Sequence, residues 1–197
     1  EVRKLEARKK QWEADQTYVH NQKPRLKALI KDSEERAKRN KEALARVEAA
    51  KNDGITIGKM KFPSLDAMAD YIKDYNSKQR EQQEQVRTAS GYQAEAKSDL
   101  TVSVGGFDFH IHRVISKEQK QEKGQLSLSF FSKTQMTYSC PELGLEDVPV
   151  DGQRLKSALE DILENVLSGD DFREKAEYAD RAAERYKGEL QQVEARD

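Results

Sequence analysis

Between Phe172 and Val193, apolar or small residues fall at Phe172, Ala176, Ala179, Ala183, Tyr186, Leu190 and Val193, in alternating steps of four and three, and charged residues fill most positions between them. That spacing lays one narrow stripe along a helix, the seam of a coiled coil. So narrow a stripe cannot shield itself from water, so it requires a second helix. Residues 1–52 supply one. Leu5, Trp12, Val19, Leu26, Ser33, Asn40 and Val47 share one core position of an unbroken heptad, and Val2, Lys9, Gln16, Lys23, Ile30, Ala37 and Leu44 share the other. Lys9, Gln16 and Lys23 weaken the first half of that seam. Pro24, which removes a helical hydrogen bond, is expected to kink the rod or restart it with Asn21 as cap.

Charge selects the pairing. Residues 1–52 carry a net of +6 and residues 141–197 a net of −8, although the whole chain sums to −1. Opposite signs favour pairing of the two ends and disfavour pairing of either with itself. Each exposed pair contributes only about 0.3–0.5 kcal/mol, so charge chooses partner and direction more than it stabilises. An antiparallel hairpin at 1.5 Å per residue places residues whose numbers total about 200 opposite one another. Trp12 is then expected near Tyr186 to Leu190, and Val47 near Leu155, with arms on the order of 70 Å long.

Asn52-Asp53-Gly54 reads as the stop of the first helix. Ile55–Ile57 and Met60–Phe62, around Gly58-Lys59, read as a tight hairpin. Leu65, Met68, Ala69, Ile72 and Tyr75 then mark one apolar helical face over 64–76, capped by Ser64, and the Gln- and Glu-rich stretch 78–86 extends it. From Ser90 to Cys140 the period changes to two. Val102 and Val104, Phe107 to Ile111, Leu126 to Phe130, and Met136 to Cys140 predict an antiparallel meander with one wet face, broken at Gly105-Gly106, Gln121–Gly124 and Ser132–Thr134. Residues 141–151 read as an acidic loop. Leu155, Ala158, Leu159, Ile162, Leu163 and Val166 make a face too broad for a two-stranded seam and are expected to dock on the sheet. Ser168–Asp171 then kinks or re-caps the helix.

The fold class is therefore α+β: a long antiparallel helical hairpin formed by residues 1–52 and 151–197, with a small domain of antiparallel sheet plus one helix, residues 53–150, inserted at its tip. Charged residues make up 36% of the chain and hydrophobic residues 36%, against about 45–50% apolar in ordinary globular chains. Little of it can therefore be globular core. No apolar run approaches the roughly 20 residues that span a bilayer, so no membrane partner is expected. Cys140 is the only cysteine, which excludes an internal disulfide and fits a reducing, cytoplasmic setting. The chain opens at Glu1, inside an apparent helix and without Met, and is expected to be a piece of a longer polypeptide.

Few residues point to chemistry. Asp108, His110 and His112 alternate along one strand and so share a face; two histidines and a carboxylate are metal ligands when geometry closes, but a wet sheet face produces the same alternation. No metal and no cofactor are expected in this segment. Cys140 beside Pro141 reads as a small core residue, and Gly105-Gly106 precedes a strand, where it makes a turn and no phosphate loop. Tyr92, Phe107 and Phe109 offer either a stacking platform or core aromatics. Lys31, Arg36, Lys38, Arg39 and Lys41 could track a phosphate backbone, although interleaved acids equally describe a solvated helix face. No catalytic residue is expected.

Gly54-Ile55-Thr56-Ile57-Gly58, Gly106-Phe107-Asp108-Phe109, Tyr138, and Asp151-Gly152 leading to Leu155, Leu159 and Glu160, in that order, resemble a region of the very large DNA-processing proteins of phages and conjugative elements. In those proteins a Swi/Snf-type superfamily-two helicase is joined to an adenine methylase. The resemblance implies a bacterial or phage setting and an accessory region of a helicase or methylase that positions DNA or a partner protein. The motor and methylase residues of such a protein would lie elsewhere in it. A tethering coiled coil with a protein-binding tip and no nucleic-acid role is the alternative.

Overall fold

The computed structural model describes residues 2–51, 53–120, 124 and 129–196. Asn52 of the expected helix stop, residues 121–123 of the expected break and the strand positions Leu126 and Leu128 lie outside them. The architecture is mixed α+β, with a long first helix, a six-stranded antiparallel sheet and a C-terminal helix. The chain divides into two compact units, residues 1–46 with 169–197, and residues 47–168.

The first unit is a pair of helices. Helix α1 spans Val2–Ala49 and runs through Pro24 as one element, so no restart occurs at Asn21. Helix α4 spans Asp170–Glu194. Lys41 pairs with Asp180 at 2.7 Å and Glu34 with Lys187 at 3.0 Å, while Val193 packs with Val19 and Leu26, so the helices are antiparallel. The seam is built from small side chains: Ala37, Ala43, Ala176, Ala179, Ala183 and Ser33 are all buried. Small seam residues let two backbones approach, and the larger Phe172 and Leu26 are buried as well. Gly169 holds a φ of +79°, and a Cβ there would stand 2.6 Å from Leu44 Cδ1, so the break before α4 demands glycine.

The register differs from the expected one. Partner numbers total about 221 at Lys41–Asp180 and Glu34–Lys187, not about 200. The reason lies in residues 155–168, which the estimate counted as rod but which belong to the second unit. Helix α4 therefore starts later, and its end reaches Val19 instead of passing Trp12. Arg196, just beyond α4, sits over the Tyr18 ring at 5.2 Å.

The second unit carries one sheet in the order β2-β1-β3-β4-β5-β6, every neighbouring pair antiparallel. Strands β1 (Ile55–Ile57) and β2 (Met60–Phe62) form the expected hairpin, Ile55 opposite Phe62 and Ile57 opposite Met60. Strands β3 (Glu95–Val104) and β4 (Phe107–Lys120) turn at Gly105-Gly106. Strand β5 (Ser129–Cys140) runs unbroken through Ser132–Thr134, where a break was expected. Thr134 is buried there and accepts a 2.8 Å hydrogen bond from Gln83, so its hydroxyl is satisfied inside the unit. The acidic stretch after Cys140 is not a plain loop. It holds a short 3₁₀ turn, Pro141–Leu143, and an edge strand β6 (Leu145–Pro149), anchored by buried Leu143 and Leu145.

Helix α2 spans Ala69–Thr88, entered by a 3₁₀ turn at Asp66–Met68 that Ser64 helps to cap, its Oγ accepting from the Ala67 amide at 3.3 Å. Its Gln-rich half is helical, as expected. Helix α3 (Leu155–Asp161) continues into a π-helical stretch, Ile162–Val166. Both helices cover one face of the sheet, with Val102, Phe109, Ile111, Ile115, Tyr138, Leu155, Leu159 and Ile162 fully buried between them. The Tyr138 hydroxyl donates to Asp161 Oδ2 at 2.5 Å, fastening β5 to α3. Among the described residues no helix is long and apolar enough to cross a membrane.

Candidate functional site

Three places carry candidate functional side chains. The first is the α1 stripe. Val19 and Leu26 are 4% and 5% exposed where α4 covers them, whereas Leu5 and Trp12, fourteen and seven residues before Val19 at the same heptad position, are 63% and 62% exposed. Val2 is open as well. One continuous seam is thus shielded along its inner length and bare along its outer length.

The five basic residues of α1 singled out from the sequence each lie beside an acid. Arg36 meets Asp32 at 2.8 Å, Arg39 meets Glu35 at 3.5 Å, Lys31 meets Glu35 at 3.9 Å and Lys38 meets Glu42 at 4.0 Å. Lys41 reaches across to Asp180 at 2.7 Å. These five residues therefore share one stretch of helix, but local partners largely offset their charge. The i,i+4 rule generates this pattern directly from the sequence.

The second place is the sheet face opposite α2 and α3. Asp108, His110 and His112 do share it, and each is engaged across to β3: Asp108 accepts from the Ser103 hydroxyl, His110 Nδ1 lies 3.1 Å from the Thr101 hydroxyl, and His112 pairs with Asp99. These are the cross-strand neighbours of the β3–β4 register. The groups are tied off in pairs down a ladder and do not converge. Among the described residues no three His, Cys, Asp or Glu side chains gather to hold a metal ion. Phe107 and Phe109 are buried on the other face, and exposed Tyr92 leans on Phe130 at 6.0 Å, so the three aromatics form no platform. Cys140 is fully buried, and burial raises its thiol pKa.

No family model, curated protein or solved structure matches this chain.

The third place was not singled out from the sequence. Arg113 points from β4 into the helix-covered side and is only 3% exposed. Its guanidinium donates to Gln82 Oε1 at 2.6 Å and Gln79 Oε1 at 3.3 Å, and it stacks over the Tyr75 ring at 4.5 Å. Among the described residues no carboxylate pairs with it, and its Nε has no acceptor. A buried ion ordinarily costs several kcal/mol unless it is paired. Here amide dipoles and a ring face offset that cost. Burial raises the Tyr75 phenol above its usual pKa while Arg113 pulls it down. The available signal was Arg113 itself, a charge in the inward half of the Phe109, Ile111, Ile115 alternation.

Beside this centre lies a cleft of about 110 Å³ lined by Asn76, Gln79, Arg80, Gln83 and Arg154. The first four are one face of α2, and Arg154 stands just before α3. Gln79 joins cleft and centre: its Oε1 accepts from Arg113 while its amide nitrogen donates to the Gln153 carbonyl at 3.3 Å.

Proposed function

We propose that this chain is a non-catalytic interaction module, an accessory region of a larger DNA-processing protein of the helicase–methylase kind that its element order resembles, and that it engages a protein partner through the outer part of the α1 seam. The observation that carries this reading is the contrast along one stripe, Val19 and Leu26 covered and Leu5 and Trp12 bare. A helix-in-groove partner completes such a seam with apolar anchors at four- and three-residue steps.

Charge specifies the occupant. Residues 2–16 have five basic and three acidic side chains, and Lys9 lies in the seam itself. The helix that covers the inner length, Asp170–Glu194, has eight acidic and five basic ones. An acidic amphipathic helix is therefore the fitting partner. A second copy of α1 would bring Lys9 against Lys9 and is disfavoured. The ion pairs around Lys31, Arg36, Lys38, Arg39 and Lys41 favour a protein over DNA as the ligand of this helix.

Trp12 is the only tryptophan and lies inside the surface in question, so its fluorescence reports occupancy. Titration with a designed helical peptide bearing Leu at heptad seam positions and Glu on the flanks is expected to shift Trp12 emission to the blue and saturate. The same peptide with Lys flanks is expected to bind at least about tenfold more weakly, and Leu5→Asp to abolish the shift. Equal binding of both peptides, or a blue shift that tracks protein concentration without peptide, would refute the proposal. Salt-sensitive DNA binding lost on replacing Lys31, Arg36 and Lys38 would favour the nucleic-acid role instead.

A further inference from the structure

We infer that the cleft between α2 and the turn before α3 binds a single tetrahedral oxyanion, a phosphate or a phosphate ester, gripped by the guanidinium groups of Arg80 and Arg154. The cleft is lined by two arginines and three amides and by no carboxylate. Neither arginine has an ion pair among the described residues, in a chain where arginines such as Arg36, Arg39, Arg87 and Arg181 sit beside an acid on their own helix. Behind them is a third guanidinium, Arg113, buried with only amide oxygens and a ring for company. Positive charge is thus gathered beside α2, and among the described residues no carboxylate lines the cleft.

Size and donors narrow the ligand. About 110 Å³ is well under the roughly 300 Å³ at which drug-sized ligands begin to fit, and it equals only a few water volumes. One small anion fills it. Guanidinium groups meet phosphate oxygens through paired, charge-assisted N–H bonds, which an ammonium cannot reproduce. Asn76 lines the same cleft, and its amide oxygen is buried without a donor. Rotated end for end, that amide presents its NH₂ group instead, the orientation an anion would select. An oxyanion in the cleft also relieves the buried charge of Arg113, since Gln79 connects the two.

The test uses the full chain labelled with ¹⁵N and titrated with sodium phosphate at constant ionic strength, sodium chloride alone serving as reference. Saturable shifts confined to the amides of residues 76–83 and 151–155 and to the arginine Nε–H signals are expected. Arg80→Gln combined with Arg154→Gln is expected to weaken them about tenfold or more. Arg154→Lys, which keeps the charge and loses the planar fork, gives a smaller loss and stands in should the double variant melt early. Shifts equal to those in chloride, or unchanged in the double variant, would mean an adventitious ion only and overturn the inference. A short oligonucleotide with a terminal phosphate, and one without, identify the source. Competition by the first alone assigns a monoester, by both a phosphodiester, and by neither free phosphate.

Discussion

Replacing Leu26 and Trp12 in turn by alanine makes the strongest test of the stripe, because the two residues share one heptad position and one is covered while the other is bare. Leu26 is 5% exposed and packs in a cluster with Val19 and Val193, with Tyr186 and Leu190 at its edge. Leu26→Ala removes three carbons from that cluster, about 0.8 kcal/mol each, and leaves a cavity, for a loss of about 3 kcal/mol. Trp12 is 62% exposed, so Trp12→Ala removes mostly solvated surface and is expected to change stability by no more than about 0.5 kcal/mol. Urea unfolding of the full chain followed by far-ultraviolet circular dichroism measures both, with extrapolated free energies compared at matched slopes. In the presence of the acidic partner helix the order reverses: Trp12→Ala loses the ligand-induced gain in stability, and Leu26→Ala keeps most of it. If Trp12→Ala alone costs as much as Leu26→Ala, the outer stripe is already covered in the free chain and the docking argument fails.

Other outcomes follow from the second unit. A Cβ on Gly54, where φ is +90°, would stand 2.3 Å from the Phe62 carbonyl oxygen, whereas one on Gly58 meets nothing within 4 Å. Gly54→Ala is thus expected to cost about 3 kcal/mol or more, through strain and a loosened β1–β2 pair, and Gly58→Ala about 1 kcal/mol; equal thermal shifts would contradict this. Burial raises the Cys140 thiol pKa, so native protein at neutral pH should react with a thiol reagent far more slowly than unfolded protein, and prompt native labelling would show the site is open. Burial likewise raises the Tyr75 phenol, and that of Tyr71. The folded state then holds protons more tightly, so their contribution to stability is complete below about pH 10 and falls as pH rises through the raised values. Tyr75→Phe should flatten that alkaline decline, read from urea midpoints against pH; an unchanged slope would exclude Tyr75 as its source.

Periodicity made much of this fold legible. The four-three spacing from Phe172 to Val193 names α4, and the two-residue alternation names the core face of β3, β4 and β5, because both patterns follow directly from which side of an element meets water. The Gly58 turn and the Gly169 break were readable for the same local reason, a backbone that only glycine adopts comfortably. The register of the helix pair was not. The broad apolar face of residues 155–166 did signal docking on the sheet, but the register also depends on where α4 then begins, which is set by packing of α3 against β5 and α2 and is not carried by the rise per residue alone. Strand β6 was hidden for a related cause, since its single buried anchor, Leu145, is surrounded by Glu146 and Asp147 and pairs only because β5 is already in place. The Asp108, His110 and His112 alternation was visible, but whether such groups converge or pair off is a matter of cross-strand register. Arg113 and the cleft beside it needed the packed structure, because the Gln side chains that hold them lie more than thirty residues away in sequence.

The glycine that breaks the chain before α4 has a bearing on how such a molecule can be rebuilt. Gly169 touches Leu44, so the polypeptide departs from the helix pair and rejoins it at neighbouring points. The intervening span behaves as a cassette whose two ends share a doorway, and a bridge of a few flexible residues in its place should leave the two helices able to close on each other. The same doorway should accept a different cassette, provided that its own two ends lie equally close together.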